Sequence, residues 1–204
     1  MNEPERIGIF GGAFDPPHVG HKIVAMDLVE ALELDRLLVV PTARPPHRTT
    51  AWPAETRFAF ARAAFAGDPR IEVSDLELRR DGPSYTVDTL ERVRAVHPDA
   101  RLFLVVGRDQ YEGFGDWHRP ERIVDLAELI VMRRDGRAPR VDGRFPFRRV
   151  DVTRVDLSST EVRDRLAEGR SVRYLVPETI RDTVRRAWKE HDTEERTTGH
   201  GTRC

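Results

Sequence analysis

The chain has 204 residues, 39% of them apolar, which is enough for one compact domain with its own core. Its 34 basic and 35 acidic side chains leave a formal charge of −1, which argues against broad adsorption to nucleic acid or to an anionic membrane. The longest apolar run, Leu102–Val106, falls far short of the roughly 20 residues that cross a bilayer, and the first residues lack a signal-peptide core. The single cysteine, Cys204, excludes an internal disulfide and a thiolate zinc site. We therefore expect a soluble protein, most simply a cytoplasmic one.

Short apolar runs alternate along the chain with stretches of helical periodicity, which is typical of βαβ units around a parallel sheet. Strands are predicted at Arg6–Gly11, Leu37–Pro41, Ile71–Leu76, Arg101–Gly107, Leu129–Met132 and Arg148–Val152. Helices are predicted at Gly20–Leu32, Ala54–Ala66, Tyr85–Val96, Pro120–Leu126, Ser159–Glu168 and Pro177–Glu190. The pattern predicts an α/β fold with a mainly parallel sheet and helices on both faces.

The chain shows neither an internal repeat nor a linker between domains, so residues 1–190 are predicted to form a single domain. Arg137–Phe147 contains two prolines and a glycine and is predicted to be a loop. His191–Cys204 has almost no apolar residues, and we expect a frayed, disordered tail there.

The first predicted strand runs directly into a segment rich in glycine, proline and histidine, Gly11–His21, after which a helical pattern begins. Glycines let backbone N–H groups approach a phosphate, and a helix N-terminus attracts an anion. The spacing matches neither G-x-G-x-x-G nor G-x-x-x-x-G-K-[ST]. His18 and His21 could donate hydrogen bonds to phosphate oxygens and stabilise charge that develops on them. The segment therefore predicts a phosphate site with two imidazoles.

Two other interpretations of this segment stay open. His18 and His21 could share a zinc ion with His47 or Asp15 as third ligand, although no H-E-x-x-H or other ligand spacing is present. The segment could also be an ordinary tight turn with incidental histidines, which its density of turn residues disfavours.

A second phosphate-binding segment, Leu157–Arg163, is predicted at the start of a late helix. Ser158 and Glu161 have capping-box spacing, so Ser158 could be a plain N-cap. Ser159 and Thr160 would offer backbone and hydroxyl donors, with Arg163 one turn further on as a bidentate clamp.

These two segments resemble the signatures of a known superfamily. Gly11–His21 is similar to G-G-[TS]-F-D-P-x-H-x-G-H, and Leu157–Arg163 is similar to I-S-S-T-x-I-R, of the nucleotidylyltransferases. The resemblance implies a Rossmann-like, doubly wound domain that binds ATP. Five more segments resemble the bacterial nicotinate-mononucleotide adenylyltransferases, so that the likeness covers roughly residues 7–188: Pro41–Arg48, Ser84–Leu90, Gly107–Gln110, Asp116–Arg119 and Tyr174–Glu178.

The resemblance implies an ATP site with His18, His21 and Arg163 as catalytic residues. Asp109 would accept hydrogen bonds from the ribose hydroxyls. The implied ATP-binding residues are Gly11, Gly12, Phe14, His18, His21, Gly107, Asp109, Arg134, Ser159, Thr160 and Arg163.

The resemblance also implies a second site, for nicotinate mononucleotide. Trp117 would offer a stacking face to the pyridinium, and Thr86 with nearby backbone N–H groups would accept the carboxylate. The alternatives are a half-buried core aromatic at Trp117, a helix N-cap at Thr86 and a solvated charge at Arg48. The implied residues of this site are His47, Arg48, Tyr85, Thr86, Trp117 and His118.

The chain departs from the family patterns at a few positions. Ala13 replaces a Thr or Ser, Arg108 replaces Ala beside the adenosine site, and Arg48 stands where the family has Lys. Arg134 is followed by Asp rather than by the family's Pro, and the end of the last helix lacks the family's tyrosine pattern. None of these changes removes an implied catalytic group.

The implied reaction joins ATP and nicotinate mononucleotide to give deamido-NAD and pyrophosphate. It implies that Mg²⁺ is bound mainly through the ATP phosphates and that the protein itself has no metal site. Neither nucleic acid nor a membrane is expected as a partner, and a homo-oligomer stays possible. Three rival functions remain: adenylyl transfer to phosphopantetheine or to nicotinamide mononucleotide, a metal-dependent hydrolase that uses His18, His21 and His47, and a non-enzymatic RNA-binding protein.

Overall fold

The computed structural model describes residues 3–45, 49–133 and 143–198. Within these ranges one sheet contains the strands β1 (Arg6–Gly12), β2 (Arg36–Pro41), β3 (Ile71–Val73), β4 (Arg101–Gly107), β5 (Glu128–Arg133) and β6 (Arg148–Asp151). The helices are α1 (Val19–Ala31), α2 (Ala54–Phe65), α3 (Thr86–Val96), α4 (Arg108–Glu112), α5 (Pro120–Leu126), α6 (Ser159–Ala167) and α7 (Glu178–Thr198), with a 3₁₀ turn at Phe114–Asp116. All neighbouring strands are parallel, so the predicted α/β class is confirmed.

The strand order β3-β2-β1-β4-β5-β6 makes the sheet doubly wound. The chain starts at the centre, winds outward to β3, returns beside β1 at β4 and then winds the other way. The carboxyl ends of β1 and β4 lie side by side, with Phe10 paired to Val105, while their following loops diverge. In open α/β sheets ligands bind in the crevice at such a switch point. The topology therefore brings the Gly11 and Gly107 segments to one place.

Two apolar cores cover the two faces of the sheet, because residues that alternate along each strand point to opposite sides. Phe10 and Phe103 pack on one face with side chains from α1, α2, α6 and α7. Ile9 and Leu104 pack on the other face with side chains from α3 and α5. Helices on both faces were predicted and are confirmed.

Several element boundaries differ from the predicted ones. β3 ends at Val73 rather than at Leu76 because the chain turns at Asp75, whose carbonyl accepts the N–H groups of Leu78 and Arg79. The short helix α4 and the 3₁₀ turn after it were not predicted, since each is too short to show a periodicity.

The last helix is longer than predicted. It ends at Thr198 rather than at Glu190, so the tail expected to be frayed from His191 is helical as far as Thr198. The reason is visible in the sequence, which has neither proline nor glycine between Glu178 and Thr198. Residues 199–204 lie outside the described residues. Within the described ranges, no helix combines the length and the apolar character needed to span a membrane.

Candidate active site

Two adjoining cavities open at the switch point of the sheet. Their volumes are about 700 Å³ and about 510 Å³. Gly11, Gly12 and Ala13 from the end of β1 line both cavities, and so do Asp109 and Gln110 from α4. A group seated over this shared rim faces both spaces, so the arrangement can hold two molecules with their reacting ends together.

The larger cavity is lined by the predicted ATP-binding residues. Arg134 lies outside the described residues, and the other predicted members all line this cavity: Gly11, Gly12, Phe14, His18, His21, Gly107, Asp109, Ser159, Thr160 and Arg163. The fold thus collects residues from the first, the middle and the last third of the chain in one space.

The two histidines lie ring against ring at the start of α1. His18 is the N-cap residue and is buried, and its ring centroid lies 3.7 Å from that of His21. The backbone N–H of His18 donates to Nδ1 of His21 over 3.1 Å. Because Nδ1 accepts this bond, the neutral ring of His21 carries its proton on Nε2, as a donor suited to a phosphate oxygen.

The loop before these histidines is shaped by the buried ring of Phe14. Its edge contacts the His21 ring at 5.0 Å, and its backbone adopts a φ of +50°. A Cβ at Gly12 would lie 3.2 Å from the same ring, which explains why glycine fits this position. The Phe14 ring therefore packs against both the loop at Gly12 and the ring of His21.

The start of α6 docks against this loop. Ser158 caps the helix by accepting the N–H of Glu161 over 3.1 Å, as the capping spacing predicts. Ser159 Oγ donates to the carbonyl of Pro16 over 2.8 Å. Arg163 donates from Nη1 to the carbonyl of Asp15 at 2.6 Å and from Nη2 to Thr160 Oγ1 at 3.2 Å. The two signature segments are therefore held together directly.

The Asp15 carboxylate is buried and has three polar partners. It accepts the N–H groups of Ala51 and Trp52 at 2.9 and 3.2 Å, and Arg163 Nη1 lies 3.4 Å away. These bonds disfavour Asp15 as a zinc ligand, and His47 lies outside the described residues. Among the residues described, no group of three or more His, Cys, Asp or Glu side chains could hold a metal ion.

Arg57 is a feature that the sequence reasoning missed. Its side chain is 1% exposed, and it donates to the carbonyls of Trp52 (3.0 Å), Ala13 (2.8 Å), Thr42 (2.7 Å) and Ala43 (3.1 Å). Burial lowers the pKa of this guanidinium, while the charge of Asp15 and then those of Glu55 and Glu77 oppose the shift. The signal was present in the periodicity, because residue 57 falls on the buried face of α2 with residues 60, 61 and 64.

The smaller cavity contains two of the predicted nicotinate contacts. Thr86 lines it as the first residue of α3, whose N-cap is Tyr85, so the N-cap alternative for Thr86 is wrong. Trp117 lines it while half-buried against Phe114, with ring centroids 5.2 Å apart, so it is both a core contact and a cavity wall. The tilted rings of Tyr85 and His118 lie against each other with their centroids 4.4 Å apart, and neither residue is among those that line the cavity.

The loop after β2 forms one wall of the smaller cavity. The N–H of Ala43 donates to Glu77 Oε2 at 3.3 Å, and Thr89 Oγ1 donates to Glu77 Oε1 at 3.1 Å. Two hydrogen bonds join Arg44 and Ser84. The N–H of Arg44 donates to Ser84 Oγ, and the N–H of Ser84 donates to the carbonyl of Arg44. Glu77 and Thr89 were not predicted as site residues. His47 and Arg48, which follow in this loop, lie outside the described residues.

The short helix α4 lines the larger cavity next to the rim that it shares with the smaller one. The N–H of Gly107 donates to Gln110 Oε1 at 2.9 Å, and the Asp109 side chain is 88% exposed. Arg108, the departure from the family pattern, lines the cavity with its Nε 3.4 Å from Asp109 Oδ1. Three more arginines that the sequence reasoning did not single out line this cavity, namely Arg133, Arg149 and Arg154. The cavity is therefore rich in groups that attract phosphate.

The chain is similar to known proteins over most of its length. A family model described as cytidylyltransferase-like matches residues 9–165. A nicotinate-nucleotide adenylyltransferase of Thermus thermophilus is 47% identical over 175 residues, which are 86% of this chain and 94% of that protein. One from Gemmatimonas aurantiaca is 43% identical over 188 residues, which are 86% and 87% of the two chains.

A solved structure supports the same fold. The nicotinic acid mononucleotide adenylyltransferase of Plasmodium falciparum complexed with NaAD superposes with a TM-score of 0.76 at 18% identity, covering 92% of this chain and 98% of that one. At this identity the likeness concerns the fold alone.

Proposed function

The chain belongs to the cytidylyltransferase-like family and, within it, to the nicotinate-nucleotide adenylyltransferases, and we propose that it transfers the adenylyl group of ATP to nicotinate mononucleotide. The products are deamido-NAD and pyrophosphate. The observation that carries the proposal is the pair of cavities that meet at Gly11–Ala13, one rich in phosphate-binding groups and the other lined by Trp117 and Thr86.

ATP occupies the larger cavity in this proposal. Its phosphates face His18, His21 and Arg163 with the hydroxyl of Thr160 and the backbone N–H of Ser159, since these groups supply donors and positive charge. The adenosine extends toward Gly107 and Asp109, where the exposed carboxylate of Asp109 can accept ribose hydroxyls. Arg134 is a further proposed phosphate contact.

Nicotinate mononucleotide occupies the smaller cavity in this proposal. Trp117 stacks on the ring, and Thr86 with the backbone near Tyr85 and His118 binds the carboxylate. The mononucleotide phosphate lies toward the shared rim, with His47 and Arg48 proposed as its contacts.

The chemistry is an in-line displacement at the α-phosphorus of ATP. An oxygen of the mononucleotide phosphate forms the new P–O bond, and the bond from the α-phosphorus to the bridging oxygen breaks, so that its electron pair leaves with pyrophosphate. The attacking phosphate is ionised near pH 7, so no general base is needed. The protein contributes position and charge neutralisation: the histidines and Arg163 hold the phosphates, and the shared rim aligns the reacting atoms.

Mg²⁺ fits the larger cavity as a companion of ATP. The described residues offer it no cluster of acidic ligands, and the Asp15 carboxylate is engaged by Ala51, Trp52 and Arg163. The ion would therefore be held mainly by ATP oxygens and water, with Asp109 as one exposed carboxylate of the cavity. When bound, it neutralises charge on the phosphates.

We also propose a cytoplasmic location, because both substrates are charged nucleotides that membranes exclude.

Label transfer tests the proposal. ATP labelled at the α-phosphorus is expected to place its label in a dinucleotide when nicotinate mononucleotide is present, whereas label at the γ-phosphorus is expected in pyrophosphate. Label that appears in AMP, independent of the acceptor, would instead support the rival hydrolase, and release of γ-labelled orthophosphate would contradict adenylyl transfer.

A further inference from the structure

We propose that Arg57 is a positioning residue that sets the separation of the two substrate cavities. The inference rests on the proposed function, because it assigns a role in the same transfer to a side chain that touches neither substrate. Arg57 lies on α2, beneath the rim where the cavities meet, and it is not among the residues that line either one.

One nitrogen of Arg57 joins the two loops on which the cavities depend. Nη1 donates to the carbonyl of Ala13, in the glycine-rich loop, and to the carbonyl of Thr42, in the loop after β2. Ala13 lines both cavities, and Thr42 lines the smaller one. Nη2 donates a further hydrogen bond to the carbonyl of Ala43 at 3.1 Å. The guanidinium thus fixes the two loops relative to each other from below.

A second path leads from Arg57 to the phosphate clamp. Its Nε donates to the carbonyl of Trp52, and the N–H of Trp52 donates to Asp15, whose carbonyl accepts from Arg163. Arg163 is the arginine that faces the phosphates of ATP. A displacement of Arg57 is therefore expected to shift the two substrates relative to each other, through Ala13 and Thr42 on one side and through Asp15 on the other.

The energetics favour a geometric role over a packing role. The other buried positions of α2 are apolar, and a buried cation is costly to desolvate, as the lowered pKa of Arg57 reflects. The cation is compensated by backbone carbonyls, whose positions it defines, and Glu77 holds the same loop from the other side through the N–H of Ala43. The planar fork of five donors is what lets one side chain reach four carbonyls, and a lysine ammonium lacks that fork.

The inference predicts an effect on turnover rather than on binding. Each substrate keeps the contacts of its own cavity when Arg57 is changed, but the alignment of the attacking oxygen with the α-phosphorus is lost. In-line transfer is sensitive to such a change, because a misplacement of about 1 Å can cost about 100-fold in rate.

The test compares R57K and R57M with a matched control, R62K, in the full chain. Arg62 lies on the same helix but is exposed, with its guanidinium over the ring of Phe58. We expect R57M to lower kcat by about 100-fold and R57K by at least about 10-fold, with R62K like wild type. The dissociation constants of ATP and of nicotinate mononucleotide, each measured alone by calorimetry, are expected to change by less than about threefold, since the misplacement affects alignment and not the separate contacts.

The outcomes separate the inference from the function on which it rests. If wild type does not turn over nicotinate mononucleotide, the proposed function fails. If wild type is active and R57K matches it in kcat, the positioning role is wrong. The role is also wrong if the two binding constants weaken as much as turnover falls, because Arg57 then supports binding alone. Should R57M not fold, as circular dichroism would show, R57K decides.

Discussion

The direction in which the His21 imidazole donates is decided by a single backbone hydrogen bond. The N–H of His18 donates to Nδ1 of His21, and Phe14 packs against the same ring, so Nε2 is the nitrogen that carries the proton of the neutral imidazole. In the proposed mechanism the histidines contribute to transfer by donating to phosphate oxygens as their charge grows, which is the role that the sequence spacing predicted.

His18→Ala and His21→Ala are each expected to lower kcat by about 10²–10³, the usual cost of losing one donor to developing charge. Steady-state kinetics at saturating ATP and nicotinate mononucleotide measures the effect. His97→Ala is a suitable control, because His97 pairs with Glu5 at the other end of β1, away from the cavities. Wild-type turnover in both active-site variants would remove the histidines from the mechanism.

Gly11 marks the rim where the cavities meet. A Cβ built there has no neighbour within 4 Å, and the residue lines both cavities. Gly11→Val is therefore expected to fold normally and to lose at least about 10-fold in kcat/KM, because its methyl groups occupy the space of the reacting phosphates. The melting temperature tests whether the variant folds normally, and steady-state kinetics tests the loss of kcat/KM.

Gly115→Val is the control, since its Cβ would lie 3.8 Å from Phe145, outside both cavities. Normal kcat/KM in Gly11→Val would place the reaction elsewhere.

Single residues also show what sequence can and cannot reveal. Gly11–His21 and Leu157–Arg163 were predictable, because each carries its chemistry in consecutive residues. The periodicity of α2 indicates that Arg57 is buried, but the hydrogen-bond partners of Arg57 and Asp15 were not predictable. They are distant in sequence: Arg57 reaches Ala13 across 44 positions, and Asp15 reaches Ala51 across 36. Only the fold brings such groups together.

Among the elements, the start of α6 joins the two halves of the proposed phosphate site. Ser158 caps the helix, and Ser159 and Arg163 donate to the carbonyls of Pro16 and Asp15. The helix start was predictable from the capping spacing, whereas its docking on the glycine-rich loop depends on the order of the strands. The boundary errors at β3 and α7 are likewise local, and they leave the site unchanged.

Two neighbouring serines are expected to separate capping from docking. Ser158→Ala loses the cap and should lower the free energy of unfolding by about 0.5–2 kcal/mol, with turnover retained. Ser159→Ala loses the bond that docks the start of α6 on the carbonyl of Pro16, so we expect a larger loss of turnover than in Ser158→Ala. Urea unfolding and steady-state kinetics on both variants provide the measurement. Equal loss of turnover in the two variants would contradict this division of roles.

At the scale of the whole molecule, the doubly wound sheet explains why one chain can bring two nucleotides together. The chain leaves β1 and β4 toward opposite edges of the sheet, and the larger and smaller cavities open on the two sides of the Gly11 loop. The fold class could be predicted from alternating strand and helix patterns. The adjoining cavities could not, because they depend on how loops from Gly11, Thr42, Gly107 and Ser158 converge in three dimensions.

The most direct measurement is an acceptor panel with the purified protein. ATP and Mg²⁺ are offered with nicotinate mononucleotide, nicotinamide mononucleotide or phosphopantetheine, pyrophosphate is followed, and products are identified by mass. We expect the highest kcat/KM with nicotinate mononucleotide, and deamido-NAD as its product. A higher kcat/KM with either other acceptor, or pyrophosphate release that needs no acceptor, would contradict it.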